Sequence, residues 1–287
     1  GETLSTIIDL SFLPVVAFVL GKPIVAIKQY RNLFFVPLLL LFTLANAEMH
    51  LATYFPETFS ITFASYAGVL LVVFLMSVMA GRVVPMFTAN GTKTPKTIPL
   101  PWLDKMTNGC LAVAMLYLLL QPALGFSETF FGVLMIIAGI FQTMRWIRWK
   151  PWITLGVPLL WSIHGSIKFM AYGLIVLGCS YLIAEIPSNH VWHLLTVGGM
   201  GGLILAMISR VSLGHTGRPL VPPKAMTVAY ICIFLAALIR ALGPWALPEK
   251  ALLFIDISGT FWLLAFGIFV VTYAPMLMSA RKDGRPG

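Results

Sequence analysis

The chain has 287 residues, of which 59% are hydrophobic and only 10% charged. Soluble domains carry about 25% charged residues, and disorder needs low hydrophobicity with high charge; both classes are excluded, and an integral membrane protein remains. The net charge of +9 is what basic residues retained in cytoplasmic loops produce, so nucleic acid is not an expected partner.

A spanning helix takes about 20 mostly apolar residues. Nine segments meet that need, at 4–20, 33–51, 63–84, 106–120, 129–147, 155–184, 191–211, 226–242 and 251–278. The predicted fold class is therefore all-α, a polytopic transmembrane helix bundle forming one transmembrane domain. The sixth segment is too long for an upright helix; it is expected to tilt, to start at the interface, or to break near Gly165. In the connection at 85–105, Asn90-Gly91 and Thr94-Pro95 read as turns.

The connections alternate in charge. The odd ones hold Lys22, Lys28 and Arg31; Arg82, Lys93, Lys96 and Lys105; Arg145, Arg148 and Lys150; and Arg210, Arg218 and Lys224. The tail adds Arg281, Lys282 and Arg285, while the even connections show Glu57, Glu128, Glu185 and a Glu249/Lys250 pair. By the positive-inside rule the odd connections and the C-terminus are cytoplasmic and the first residue lies outside. The chain opens with Gly and enters an apolar segment almost at once, as a piece of a longer protein would.

Polar groups at membrane depth cost free energy, about 2.5–3.5 kcal/mol for a central charge on insertion scales, so they mark candidate sites. His50, with Glu48 and Met49 beside it, ends the second segment; His190 and His193 open the seventh with i, i+3 spacing; His164 lies inside the sixth, one turn from Lys168; His215 follows the seventh. Imidazole ligates haem iron, copper and zinc, and each of these histidines can equally be a hydrogen-bonded helix residue. Lys168 suits a carboxylate or a haem propionate, or snorkels. Arg82, Arg210 and Arg218 suit propionates, phosphates or lipid headgroups. Met49 and Met200 are soft donors for Cu(I) or packing residues. Asp9 and Asp256 read as helix caps or first-turn acids. Gly198 and Gly202 form a GxxxG pair, which admits a neighbouring helix or a flat macrocycle. Cys110, Cys179 and Cys232 lie far apart in apolar stretches, and no CxxC or CxxCH occurs; a disulfide scaffold and covalent c-type haem are not signalled.

Several strings resemble the NnrS family of bacterial inner-membrane proteins: GRVVPMFTANG at 81–91, PLLWSIHG at 158–165 and HLLTVGGMGGLILAMISRVSLGHTGRPL at 193–220. Weaker likeness runs through DLSFLPVVAF at 9–18, RNLFFVPLLLLFTLANAEMHL at 31–51 and YAPMLMSARKDGRP at 273–286. The resemblance implies a multi-pass inner-membrane protein that carries haem, of the b type in the absence of CxxCH, is associated with copper, and serves in nitric oxide handling, denitrification and resistance to nitrosative stress. It points to His50, His164, His193 and His215 as metal ligands and to Arg82, Arg210 and Arg218 as cofactor contacts, to which the residue reading adds Lys168. Family members are longer at the N-terminus by about three helices, including a W-H-x-H-E-like segment that has no counterpart here. Two other readings use the same residues: a transporter or channel with His164 and Lys168 on its path, and a bis-His electron-transfer cytochrome, for which His50 and His193 are the pair.

Overall fold

The protein, seen as a computed structural model, is described over residues 2–284. Arg285, counted in the basic tail, lies outside the described residues. Nine long helices run through them: α1 Glu2–Ala26, α2 Phe35–Tyr54, α3 Ile61–Thr92, α4 Pro101–Leu119, α5 Glu128–Arg148, α6 Pro158–Ser180, α7 Ser188–His215, α8 Ala225–Ala246 and α9 Ala251–Leu277. Eight of the chain's helical stretches are long and apolar enough to cross a membrane, and α4 supplies the ninth segment. The chain is a multi-pass membrane protein.

Each helix falls on one expected segment, because in lipid a backbone must satisfy its own hydrogen bonds. Two edges differ. The third helix continues through Pro85 and Asn90-Gly91 and stops only at Lys93; a proline is tolerated there, and the helix ends at Thr92 and not at residue 84 as expected. The sixth segment neither breaks nor overruns. Pro158 opens α6 in the first turn, Ser180 closes it, and Gly165 sits inside it. Lys28, Lys93 and Lys150 each adopt the left-handed conformation just past a helix, with φ of 56°, 55° and 55°. A cation at these C-terminal ends meets the negative pole of the helix dipole.

The chain divides into two compact units, one of residues up to Leu75 with Leu111–Ser127, the other of Met76–Cys110 with residues from Glu128 onward. In the first, α1 packs along α2. In the second, α5 packs on α6 and α8 on α9, while α7 lies against α6. Small residues let α5 and α6 approach closely. A Cβ on Gly139 would stand 2.8 Å from the Ala171 carbonyl oxygen, and one on Gly132 would stand 2.9 Å from that of Gly178. The core of this unit is aliphatic, with Ile163, Ile167, Leu174, Leu195, Leu205 and Ile233 fully or almost fully buried.

Helix α7 changes winding along its length. It is α-helical over Ser188–His193, π-helical over Leu194–Gly201 and α-helical again over Gly202–His215. Such wide turns are rare and concentrate where a helix serves a site. The glycines here seat aromatic rings. A side chain on Gly198 would collide with Phe169, and a Cβ on Gly202 would lie 2.9 Å from Phe234 and 2.7 Å from Ser166 Oγ. Phe169 and Phe234 stack at 5.1 Å between centroids with 12° between planes. Of the two readings of the GxxxG pair, helix packing is what the structure displays.

Candidate functional site

A cavity of about 660 Å³ opens in the second unit. That size lies within the range of small-molecule and cofactor sites, about 300–1,000 Å³. Its walls are largely aromatic: Trp146 from α5, Trp152 from the turn Pro151–Thr154, Trp161, Phe169 and Tyr172 from α6, and Phe234 from α8. Polar side chains join them: Thr154 from that turn, and His164 and Lys168, one helical turn apart on α6. The pair singled out in the sequence therefore shares one cavity.

His164 is 2% exposed. Its Nε2 lies 2.8 Å from Thr88 Oγ1 on α3, and Thr88 is itself 5% exposed. Its Nδ1 is buried without a hydrogen-bond partner. The turn of α6 that carries it is pinned by Trp146, whose indole N–H donates to the His164 carbonyl at 2.9 Å. His193 Nδ1 is buried without a hydrogen-bond partner in the same way; what distinguishes His164 is that it lines the cavity. Lys168 is exposed along the cavity, with Nζ 5.7 Å from the Tyr172 ring centroid.

The remaining sequence candidates lie elsewhere. His50 belongs to the first unit, where its Nε2 is 2.9 Å from Asp9 Oδ2, and Asn46 Nδ2 donates to that same oxygen at 2.7 Å. Asp9 is thus an imidazole partner inside α1, not a cap; Asp256 is exposed in the second turn of α9 and caps nothing. His193 neighbours Leu194, a wall residue, but does not line the cavity itself; it lies with His190 within electrostatic reach of Arg240. His215 is exposed at the end of α7, and its carbonyl accepts from Arg281 Nη1 at 3.0 Å. Arg210 lies 3.9 Å over the Phe87 ring. Arg218 holds the tail, donating to Ser279 Oγ at 2.9 Å and to the Met276 carbonyl at 3.4 Å. Arg82 is half-buried on α3 and does not line the cavity. Among the described residues no three His, Cys, Asp or Glu side chains come close enough to hold one metal ion.

Arg145 corrects the loop reading. Counted in the sequence among the basic residues of the fifth connection, it is 2% exposed inside α5. Its Nε pairs with Asp104 Oδ1 at 2.8 Å, and Nη1 donates to Ser77 Oγ at 2.8 Å and Gln142 Oε1 at 2.9 Å. Ser77 Oγ in turn donates to Asn108 Oδ1 at 2.7 Å. Gly81 leaves room for the guanidinium, since a Cβ there would meet Nη2. The network ties α3, α4 and α5 together one residue away from Trp146. Sequence reasoning missed Thr88 and the aromatic wall as well. Their signals were present: Thr88 sits inside the 81–91 string, and Trp146 and Trp152 lie in and just past the basic stretch at 145–150.

No curated protein and no solved structure matches the chain. The profile of the NnrS protein family matches residues 2–281, nearly its whole length. The chain is a member of the NnrS family.

Proposed function

We propose that this protein binds haem in the aromatic cavity, with His164 as the protein ligand, and that it serves in nitric oxide handling and resistance to nitrosative stress at the bacterial inner membrane, with its C-terminus in the cytoplasm. The observation that carries the reading is an aromatic cavity whose lining holds a histidine, His164, and a cation, Lys168, one turn apart. The residues fit the group in three respects. Indole and phenyl rings suit the faces of a planar macrocycle. Lys168 suits a carboxylate substituent. Thr88 Oγ1 contacts a ring nitrogen of His164 and orients the imidazole.

Haem iron with a single protein ligand offers an open coordination position to a small gas. The lining contains His164 but no second His, and no Met or Cys, which favours an open position over bis-His coordination. Apolar walls pass an uncharged diatomic from lipid and hold back ions. Copper belongs to the reading as what the family resemblance implies, with no group of three His, Cys, Asp or Glu side chains among the described residues marking a place for it.

Purification from haem-replete cells tests this reading. The expected result is a Soret band near stoichiometric with protein that shifts when nitric oxide is added. A colourless, iron-free protein contradicts haem binding; a low-spin spectrum indifferent to nitric oxide moves the assignment to an electron-transfer cytochrome.

A further inference from the structure

We infer that the junction of α7, α8 and α9 binds a water molecule, which the hydroxyls of Ser209, Tyr230 and Tyr273 hold between them. The site lies outside the aromatic cavity and is independent of what that cavity takes. Ser209 comes from α7, Tyr230 from α8 and Tyr273 from α9, and each is 0% exposed. Ser209 is a near neighbour of both phenols, and the phenols are neighbours of each other. Yet among the described residues neither phenol oxygen has a hydrogen-bond partner. One unpaired buried atom says little, since His193 Nδ1 is another. Here two phenols from different helices converge on one serine, and both lack a partner. Buried polar groups in native proteins are nearly always paired.

The chemistry of the three groups says what completes them. Ser209 Oγ donates its only proton to the Leu205 carbonyl at 2.7 Å, so toward the phenols it can only accept. Each phenol has a proton to donate. The completing group must therefore accept from two phenols and donate to a serine. Water does both, and about three hydrogen bonds are usual for a buried water. The two rings are fixed by their neighbours. Phe269 stacks on Tyr273 with centroids 4.8 Å apart and 22° between planes, and Trp161 meets Tyr230 edge-on at 5.8 Å and 89°. A bridging molecule, not ring movement, is what completes the hydroxyls. Ser212 and Thr216, 9% and 7% exposed, continue the Ser209 face of α7 to its end, which gives water a polar approach. Trp161 also lines the aromatic cavity, so the bound water stands behind a ring that walls it.

Solid-state NMR tests this on the whole chain in nanodiscs, with tyrosine ¹³C-labelled at Cζ. Magnetisation starts on water protons and is read on the tyrosine rings, and Tyr230→Phe and Tyr273→Phe assign the two resonances. The wild type is expected to show transfer to both buried phenols on the timescale seen for Tyr54, which is 62% exposed. In Y230F the transfer to Tyr273 is expected to fall, because the water loses one of its partners, and Y273F is expected to do the same to Tyr230. Ser209→Ala is expected to weaken transfer to both. No transfer to either phenol in the wild type overturns the inference, as does transfer to Tyr273 that neither Y230F nor S209A moves. Where one phenylalanine variant folds poorly the wild-type spectrum still decides, because the other variant assigns its own phenol.

Discussion

His164, Thr88 and Arg145 show how burial decides what a polar side chain does in this protein. His164 and Arg145 are each 2% exposed, but their situations differ. Arg145 has a carboxylate, a hydroxyl and an amide around it, whereas His164 keeps one nitrogen unpaired. The first is a structural tie and the second is the residue proposed as a ligand. The ion pair is unequal, because the Asp104 side chain is 38% exposed and reaches water while the guanidinium does not. Removing the acid strands a buried charge, which costs about 3–5 kcal/mol. Asp104→Ala is therefore expected to destabilise the protein more than Arg145→Met, which leaves behind only a carboxylate that water can solvate. Thermal unfolding in detergent, followed by tryptophan fluorescence, checks the order; the reverse order would mean that the pair does not carry the charge as described.

At the scale of the element, the helices depend on small residues where backbones meet. Gly139 lies against the Ala171 carbonyl and the Ile175 nitrogen, both backbone atoms that cannot swing aside. Gly139→Val is expected to cost about 1–3 kcal/mol by overpacking. Gly267 on α9 has nothing within 4 Å of an added Cβ, so Gly267→Ala is expected to be neutral or stabilising by up to about 1 kcal/mol. Equal unfolding temperatures for the two variants would contradict the α5–α6 contact. The helices themselves were legible in the sequence, because a spanning segment announces itself by length and apolarity. Their ends were less so. Asn90-Gly91 carries the composition of a turn, yet α3 runs through it to Lys93. Arg145 looked like a loop residue because hydropathy registers its charge and is blind to Asp104, far away in sequence. Thr88 carried no charge to flag it, and the aromatic wall gathers rings from α5, α6 and α8 that only the fold brings together.

For the whole molecule, the charge alternation predicts that odd connections face the cytoplasm. Reporter fusions check it: a fluorescent protein after Lys282 is expected to light up inside the cell, and alkaline phosphatase inserted at Glu57 is expected to be active outside. Activity of both reporters on one side would break the nine-crossing topology. Family membership was legible because the strings span the chain in order, and the match over residues 2–281 bears it out. The candidate site was legible only in part. His164 and Lys168 share the cavity, whereas His50, His193, His215 and the three arginines do not line it. Helical spacing on α6 joined the first two; nothing in a linear sequence states which residues of other helices meet them.

The haem-to-protein ratio of His164→Ala, measured beside His190→Ala in the same membranes, tests the central claim most directly. The account predicts that His164→Ala loses most of its haem and its optical response to nitric oxide while His190→Ala keeps both. Full haem in a folded His164→Ala protein would contradict it.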